Sequence, residues 1–268
     1  MNATFVLRRY GRLWAYLARR SMMAQLAYRG DFAMGVARNA GYLALALVFY
    51  QVLFMRTGSI AGWSQPAVLL LFGVFRIVKG VLYFFVEENI AAIPGFVRDG
   101  QMDFVLLKPI NTRFLLTCAQ VNLGSLFNAA IGVGLVVYGL GALHTAPGVG
   151  ALAACAALIV CAVAIFYNML FMLITVSFWV VNVDGLQYLF DEVLNMAGLP
   201  SAVYRGALGL VFSYVIPLGV AATVPAGLLT GHNAPVLYAY APVCAVVTTV
   251  LSQWLWRRAI AGYTSAGG

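Results

Sequence analysis

The sequence predicts an all-α integral membrane protein with six transmembrane helices. Its hydrophobic fraction is 63% and its charged fraction 9%, with a mean hydropathy of +0.92. Soluble domains carry roughly 25% charged residues, so this chain has too few charges to cover a water-exposed surface. The same composition excludes intrinsic disorder, which requires low hydrophobicity. Long charge-free stretches recur along the chain, and they are the third observation that indicates membrane spans.

The basic residues show how the chain is oriented. Six arginines lie in the first thirty residues, and Arg257 and Arg258 follow the last apolar stretch. Segments rich in Lys and Arg remain on the cytoplasmic side of a membrane, so both termini are expected there and the number of spans is even. Nucleic-acid binding, the other usual explanation of a formal charge of +8, is disfavoured by the composition.

Residues 1–30 are predicted to form an amphipathic helix at the membrane surface. At 100° per residue, apolar side chains share one sector of this helix and arginines occupy the opposite one, where they reach lipid phosphates. The alternatives are a soluble amphipathic helix and an Arg-rich mitochondrial presequence. The apolar sector holds Val6, Tyr10, Leu13, Trp14, Leu17 and Ala24, and the basic sector Arg8, Arg9, Arg12, Arg19 and Arg20.

Five spans follow from the apolar stretches, since about 20 mostly apolar residues cross a bilayer. Segments rich in Gly and Pro at 144–148 and 231–235 separate neighbouring spans. Arg76 and Lys79 are expected near the inner end of the second span, which Glu87 and Glu88 terminate. The five spans are expected at about 34–55, 57–86, 113–141, 150–178 and 236–256.

Residues 182–230 are expected to supply one more span together with short re-entrant helices near the outer surface. Asp184, Asp191 and Glu192 are too polar for a lipid-facing helix, and three prolines follow. Irregular backbone persists at membrane depth only where protein or a watery cavity surrounds it. The pair Asp191 and Glu192 has two interpretations: a polar lining of a conduit or gate, or a helix end in water, which we slightly favour.

The segment 87–111 is expected to be a cytoplasmic loop with short helical structure. Glu87 and Glu88 suit a helix N-terminus, Gly100 suits a sharp turn, and Asn111 suits the N-cap of the next span. An apolar patch of this kind is typical of a docking surface, although it also fits a loop that folds back on its own helix ends. The unusually apolar side chains are Phe96, Met102, Phe104, Leu106 and Leu107.

The end of this loop contains a recognisable motif, Gly100-x-Met102-Asp103-x-x-Leu106-Leu107-Lys108-Pro109-Ile110-Asn111. It resembles the signature of bacterial permeases in the ABC-2-type branch of ATP-binding-cassette exporters, and its position directly after the second span also matches. Looser similarities follow at Ser177-Phe178-Trp179, at Pro200 to Tyr204 and at Ile216-Pro217.

The resemblance implies an N-terminal elbow helix, a cytoplasmic coupling helix after the second span and re-entrant helices before the sixth. It also implies a multi-pass protein of the bacterial inner membrane that dimerises with an identical or paralogous permease on two separate ATPase subunits. The chain has no G-x-x-x-x-G-K-[ST] phosphate loop. It is therefore expected to be no enzyme, with ATP and Mg bound by the partner.

The resemblance also suggests which residues carry function. Ile90 to Asp99 would press into a groove of the ATPase, with Glu87, Glu88, Arg98 and Asp99 setting the register and Ile93 and Phe96 supplying buried contact. Asp103 is expected to pair locally within the loop, and Lys108 and Arg113 to hold lipid phosphates. Asp191, Glu192 and Tyr204 are the candidates for a conduit or gate.

Two other functional classes are considered. A secondary transporter driven by an ion gradient usually has inverted repeats, and none is visible here. A membrane-embedded enzyme would need a catalytic motif or a metal-ligand cluster, and with two widely separated histidines the sequence offers neither.

Overall fold

The computed structural model describes residues 3–180, 184–232 and 236–263, and within these ranges the protein is helical without a β-strand. A 3₁₀ turn follows α8 at Val176–Phe178, two more lie at Met196–Gly198 and Ser201–Val203, and a π-helical turn spans Val211–Val215. The α-helices in chain order are α1 (Ala3–Ala27), α2 (Arg29–Arg56), α3 (Gln65–Ala91), α4 (Ile93–Arg98), α5 (Met102–Leu106), α6 (Thr112–Cys118), α7 (Leu123–Ala142), α8 (Val149–Thr175), α9 (Asp184–Asn195), α10 (Gly206–Leu210), α11 (Leu218–Ala221), α12 (Thr223–Thr230) and α13 (Val236–Ala261).

Five of the described helices are long and apolar enough to cross a membrane, namely α2, α3, α7, α8 and α13. A multi-pass, all-α membrane protein is therefore confirmed. No sixth continuous span occurs among the described residues, because α9 has only 12 residues and short pieces follow it. Six crossings remain a prediction.

The second span begins later than expected. The chain from Thr57 to Ser64 is not helical, and α3 starts at Gln65 with Pro66 in its first turn, where a missing N–H costs nothing. Arg76 and Lys79 therefore lie near the middle of the apolar segment Gln65–Val86, not near its inner end. At 1.5 Å per residue, Arg76 is about 17 Å from the start of the helix.

The expected third span, 113–141, is broken into α6 and α7. The side chain of Asn89, at the end of α3, fills the break: its amide donates to the carbonyls of Thr117 at 3.2 Å and Gln120 at 2.7 Å, and the N–H of Gln120 donates back at 2.9 Å. These bonds satisfy backbone groups that the helix ends leave free, so the interruption is tolerated.

A glycine seam joins α3 to α7. Gly73 of α3 faces Gly132 of α7, whereas Gly80 of α3 lies against Ser125 and Ala129 of α7, and Gly139 of α7 against Pro66 and Leu70 of α3. The two glycines of each helix are two helical turns apart, which keeps them on one face. A Cβ added at Gly73 would lie 2.7 Å from the carbonyl oxygen of Gly132. The two backbones are therefore in direct contact, as small residues permit in membrane helix pairs.

The other side of α3 forms the core of the bundle. Leu71 and Leu82 are fully buried there, and α8 and α12 pack against α3. The helix α13 lies along α8, where the ring centroids of Phe171 and Trp256 are 5.0 Å apart. These four helices form the closely packed half of the molecule.

The segments between α9 and α13 are short because residues within them stop helices. Pro217 precedes α11, and Gly231 ends α12 with a φ of +74°, a conformation that glycine adopts without strain. Leu218 and Leu229 are buried in the core.

The N-terminal helix α1 lies across the end of the bundle at which α3 ends and α7 begins. Its Tyr10 ring packs edge-on against Phe114 with centroids 4.8 Å apart. The Ser21 hydroxyl donates to the Val121 carbonyl at 3.0 Å and accepts from the Val121 N–H at 3.1 Å. Its arginines are exposed on the other face, as the pattern predicted: Arg8, Arg9, Arg12, Arg19 and Arg20.

The least enclosed span is α2. Leu45 and Met55 are 68% and 77% exposed, and the helix contacts the bundle mainly along α7. In the C-terminal part of α2, the Tyr50 hydroxyl donates to the Gly198 carbonyl at 2.7 Å. A wide space therefore remains between α2 and the middle of α3.

Candidate functional site

The loop of residues 87–111, which we call the signature loop, contains α4 and α5 joined by a turn at Gly100. Gly100 has a φ of +68°, so a side chain at this position would strain the turn. Ile93 of α4 and Met102 of α5 are 1% and 0% exposed and belong to the main core cluster. The loop is therefore held against the ends of the helices.

This arrangement changes which apolar side chains face outward. Ile93, expected to contact a partner, lies inside the protein's own core, and Phe96 is half-buried against that core. Phe104 and Leu107, in contrast, are 71% and 80% exposed. The free apolar surface of the signature loop thus lies in its second half.

The charged residues of the loop have different surroundings. Arg98 and Asp99 are exposed and pair with each other at 3.4 Å. Glu88 accepts a hydrogen bond from the Asn122 amide at 3.2 Å, and partial desolvation raises the pKa of its carboxyl group above the ordinary value. The side chain of Glu87 lies outside the described part of the structure. Lys108 and Pro109 are exposed.

The remaining motif residues bind the loop to the bundle. Asp103 faces Tyr263 beyond the end of α13; burial, and then this carboxylate, raise the pKa of the Tyr263 hydroxyl. Leu106 packs against the core. Asn111 is the N-cap of α6, as expected, and its Oδ1 accepts from the Phe114 N–H at 3.1 Å.

Arg113, expected to hold lipid phosphates, instead joins three helices. Its guanidinium donates to Asn168 of α8 at 2.6 Å and to Ser252 of α13 at 2.9 Å. It also stacks over the ring of Phe171, with its central carbon 4.3 Å from the centroid. These contacts tie α6, directly after the loop, to α8 and α13.

A second functional region is the space between α2 and α3. It is a cavity of about 1190 Å³, bounded by α1, α2, α3, the start of α7, and α9. A cavity of this size holds a drug-sized molecule. Basic and acidic side chains both line it, together with aromatic rings: Arg20, Arg38, Arg76, Lys79 and Lys108; Asp31, Glu88, Asp191 and Glu192; Phe49, Tyr50, Phe72 and Phe75.

An ion pair between two residues that line this cavity connects α3 to α9. The ammonium of Lys79 is 2.8 Å from Oδ1 of Asp191 and also donates to Asn195 at 2.7 Å. The Tyr83 hydroxyl donates to the same Asp191 oxygen at 2.6 Å. Asp191 is therefore a paired group within α9 that faces the cavity, rather than a free helix end in water.

Arg76 lies one turn before Lys79 in α3 and is 8% exposed. Its guanidinium donates to the Asn128 side chain of α7 and lies 6.0 Å from the Phe72 ring centroid. Its Nε is buried and has no hydrogen-bond partner in the part of the chain that the structure describes. The charge of Lys79 is thus balanced by the carboxylate of Asp191, whereas the one side-chain acceptor that contacts Arg76 in the described structure is the neutral amide oxygen of Asn128.

The other two conduit candidates occupy different places. Glu192 is exposed and lines the cavity beside Asp191. Tyr204 does not line the cavity; its hydroxyl donates to the Met196 carbonyl at 2.7 Å and its ring packs on Phe212. The structure brings two of the three candidates together.

Sequence reasoning missed Arg76, Lys79 and Asn128 as cavity residues. A signal was present, because two basic residues interrupt an otherwise apolar segment, and ionisable groups inside spans are functional candidates. Placing the start of the span too early moved both residues towards its end and concealed that signal.

Comparison with known proteins supports one assignment. The family model described as ABC-2 family transporter protein matches residues 40–267. The match covers α3 to α13, including the signature loop and the cavity residues of α3, α7 and α9. No curated protein and no solved structure matches the chain.

Proposed function

Because the chain belongs to the ABC-2 family of transporter proteins, we propose that it is the permease subunit of an exporter driven by separate ATPase subunits. The family accounts for a multi-pass membrane permease that pairs with an ATP-binding-cassette subunit. The export direction, the dimer, two copies of the ATPase, the bacterial inner membrane and cytoplasmic termini belong to the proposal.

The observation that carries the ATPase contact is the exposed apolar surface of the signature loop. Phe104 and Leu107 are more than two-thirds exposed on a loop whose other large aliphatic and aromatic residues are buried or half-buried. Apolar groups displayed on such a fixed loop are typical of a docking surface. Arg98, Asp99 and Lys108 lie in the same loop and set the register of docking by charge.

The contacts of the loop provide a route for movement into the membrane. Its first residue continues α3, and its last residues lead into α6, where Arg113 binds α8 and α13. A displacement of the loop by ATP-driven closure is therefore transmitted to three spans together. ATP biases transport only by favouring the docked geometry of one state over the other.

The cavity between α2 and α3 is the substrate path in this proposal. One side of it is bounded by α2, whose outward face is unpaired in a single chain and would meet a second permease in a dimer. The Lys79–Asp191 pair joins α3 to α9 and would act as a gate that breaks when these helices separate. Glu192 lies beside this pair, and Tyr204 bonds the Met196 carbonyl just beyond the end of α9.

Substitution of Leu107 by Asp tests the docking surface. A charge at the centre of an apolar contact is expected to abolish copurification with the ATPase and the ATP hydrolysis that the permease stimulates, with unchanged membrane insertion. Val149→Asp is the matched control, since Val149 is also a highly exposed apolar residue but lies at the first residue of α8, outside both the loop and α2.

Unchanged ATPase binding by Leu107→Asp would contradict this use of the loop. Transport by the purified chain in liposomes with only an ion gradient would contradict the whole proposal and favour a secondary transporter. The intramembrane carboxylate of Asp191 is the feature that such a transporter would use.

A further inference from the structure

Arg76 has far fewer partners than a guanidinium in the middle of a membrane span requires. The group carries five N–H donors. The described residues supply it with one acceptor, Oδ1 of Asn128, while its buried Nε has none. The side chain of Arg76 is one of those that line the cavity.

No described carboxylate neutralises this charge. Asp191, in the same cavity, is occupied by the ammonium of Lys79 and by the hydroxyl of Tyr83. Among the described residues the ion pairs are those of Lys79 with Asp191 and of Arg98 with Asp99. A buried charge is tolerated when a counter-charge and hydrogen bonds accompany it, so the site lacks an anion.

We propose that Arg76 anchors a binding site for an amphiphile that carries a phosphate or carboxylate group. The planar guanidinium binds two oxygens of one oxyanion, and the amide N–H groups of Asn128 remain free to donate beside it because its Oδ1 accepts from Arg76. Phe72, Phe75 and Phe49 line the adjoining wall and receive the apolar part. This inference names the substrate class of the proposed exporter and rests on that function.

The charges around the cavity support an anion over a cation. Five basic and four acidic residues line it, and the acidic residue nearest the middle of the span is paired with Lys79. A cationic amphiphile would leave Arg76 uncompensated and add a like charge beside it. An anionic one supplies the missing partner.

Binding is measured by calorimetry on the full chain in nanodiscs of phosphatidylcholine. Dodecyl phosphate and dodecyltrimethylammonium serve as probes of opposite charge and equal chain length. The unmodified protein is expected to bind dodecyl phosphate about tenfold more tightly, and Arg76→Gln to lose this preference. Arg56→Gln, which removes an exposed arginine that does not line the cavity, is expected to keep it.

Asn128→Asp is a second variant that retains Arg76. The new carboxylate lies where the amide oxygen accepts from the guanidinium, so it becomes an internal counter-charge. We expect a more heat-stable protein that no longer prefers dodecyl phosphate. A purely structural role of Arg76 would raise the stability in the same way and leave binding of the probe unchanged.

Equal affinity of the unmodified protein for both probes, or equal binding of dodecyl phosphate by the unmodified protein, Arg76→Gln and Asn128→Asp, would overturn the inference. The assay contains no ATPase, so its failure leaves the proposed docking surface intact. Two sources of the oxyanion are separable: a phospholipid that copurifies with the unmodified protein and not with Arg76→Gln identifies a resident lipid, whereas ATP hydrolysis stimulated by dodecyl phosphate identifies a transported molecule.

Discussion

The two faces of α3 are built on opposite principles. Towards α7, glycines bring backbone against backbone, and a single added methyl group would meet atoms closer than 3 Å. Towards α2 there is a cavity of about 1190 Å³ with charged walls. One helix therefore belongs at once to the most tightly and the most loosely packed parts of the molecule.

The difference indicates where movement is possible. Interhelical contacts at the glycine seam have no space to slide, so α3 and α7 are expected to move as one unit. On the cavity side, α3 is joined to α9 by the Lys79–Asp191 ion pair and by hydrogen bonds from Lys79 and Tyr83, and α2 is joined to its neighbours by two hydrogen bonds and the Tyr50–Phe72 ring contact. Opening and closing is expected on that side.

Substitution at the glycine seam should have the largest effect. Gly132→Leu places a side chain against Gly73 and Ile77 of α3 and should destabilise the folded protein by about 3 kcal/mol, with a lower yield from the membrane. Gly134→Leu is the control, because a Cβ at Gly134 meets nothing within 4 Å. Thermal unfolding in detergent compares the two, and equal losses would show that the seam is not closely packed.

Breaking the ion pair should have an intermediate effect. Asp191→Asn leaves the Lys79 ammonium without its counter-charge and should cost about 2 kcal/mol of stability. Reversal of both charges, Lys79→Asp with Asp191→Lys, restores part of this loss if the two groups interact directly. Additive effects in the double-mutant cycle would exclude an energetic coupling between α3 and α9.

Truncation on the open face of α2 should have the smallest effect on a single chain. Leu45→Ala removes a side chain that is 68% exposed, and a change below about 0.5 kcal/mol in unfolding is expected for it. A weaker dimer in the same variant, measured by cross-linking in membranes, would show that this face contacts a second permease. An unfolding loss as large as that of Gly132→Leu would mean that α2 is packed in the monomer.

Hydropathy predicted most of the fold because apolar length alone decides where a span lies. The helices α8 and α13 begin within a residue or two of the expected positions. The break between α6 and α7 was not predictable in this way, since the residue that stabilises it, Asn89, is 31 positions from Gln120, with which it bonds. The local mark of the interruption is Asn122, the N-cap of α7, whose Oδ1 accepts from the Ser125 N–H at 3.1 Å.

In the candidate site too, features that depend on neighbouring residues could be predicted, and features that depend on distant residues could not. The turn at Gly100 and the cap at Asn111 are local and followed from residue type. The environments of Asp191 and Arg113 depend on partners at least 54 positions away, and for both residues the sequence favoured contact with water or lipid. Membrane charges tend to be paired, but composition does not say with what.

The length of α3 and the position of its contacts with α7 allow it to tilt about its midpoint. Its 27 residues span about 40 Å, and its contacts with α7 at Gly73 and Gly80 lie on either side of the midpoint. If the pair rocks by about 5° around that midpoint, each tip travels about 2 Å while the centre hardly shifts. A small displacement of the signature loop would then widen or narrow the opposite end of the cavity. The guanidinium of Arg76, close to the midpoint, would hardly move. A molecule bound to Arg76 would therefore stay in place while the opening of the cavity changes.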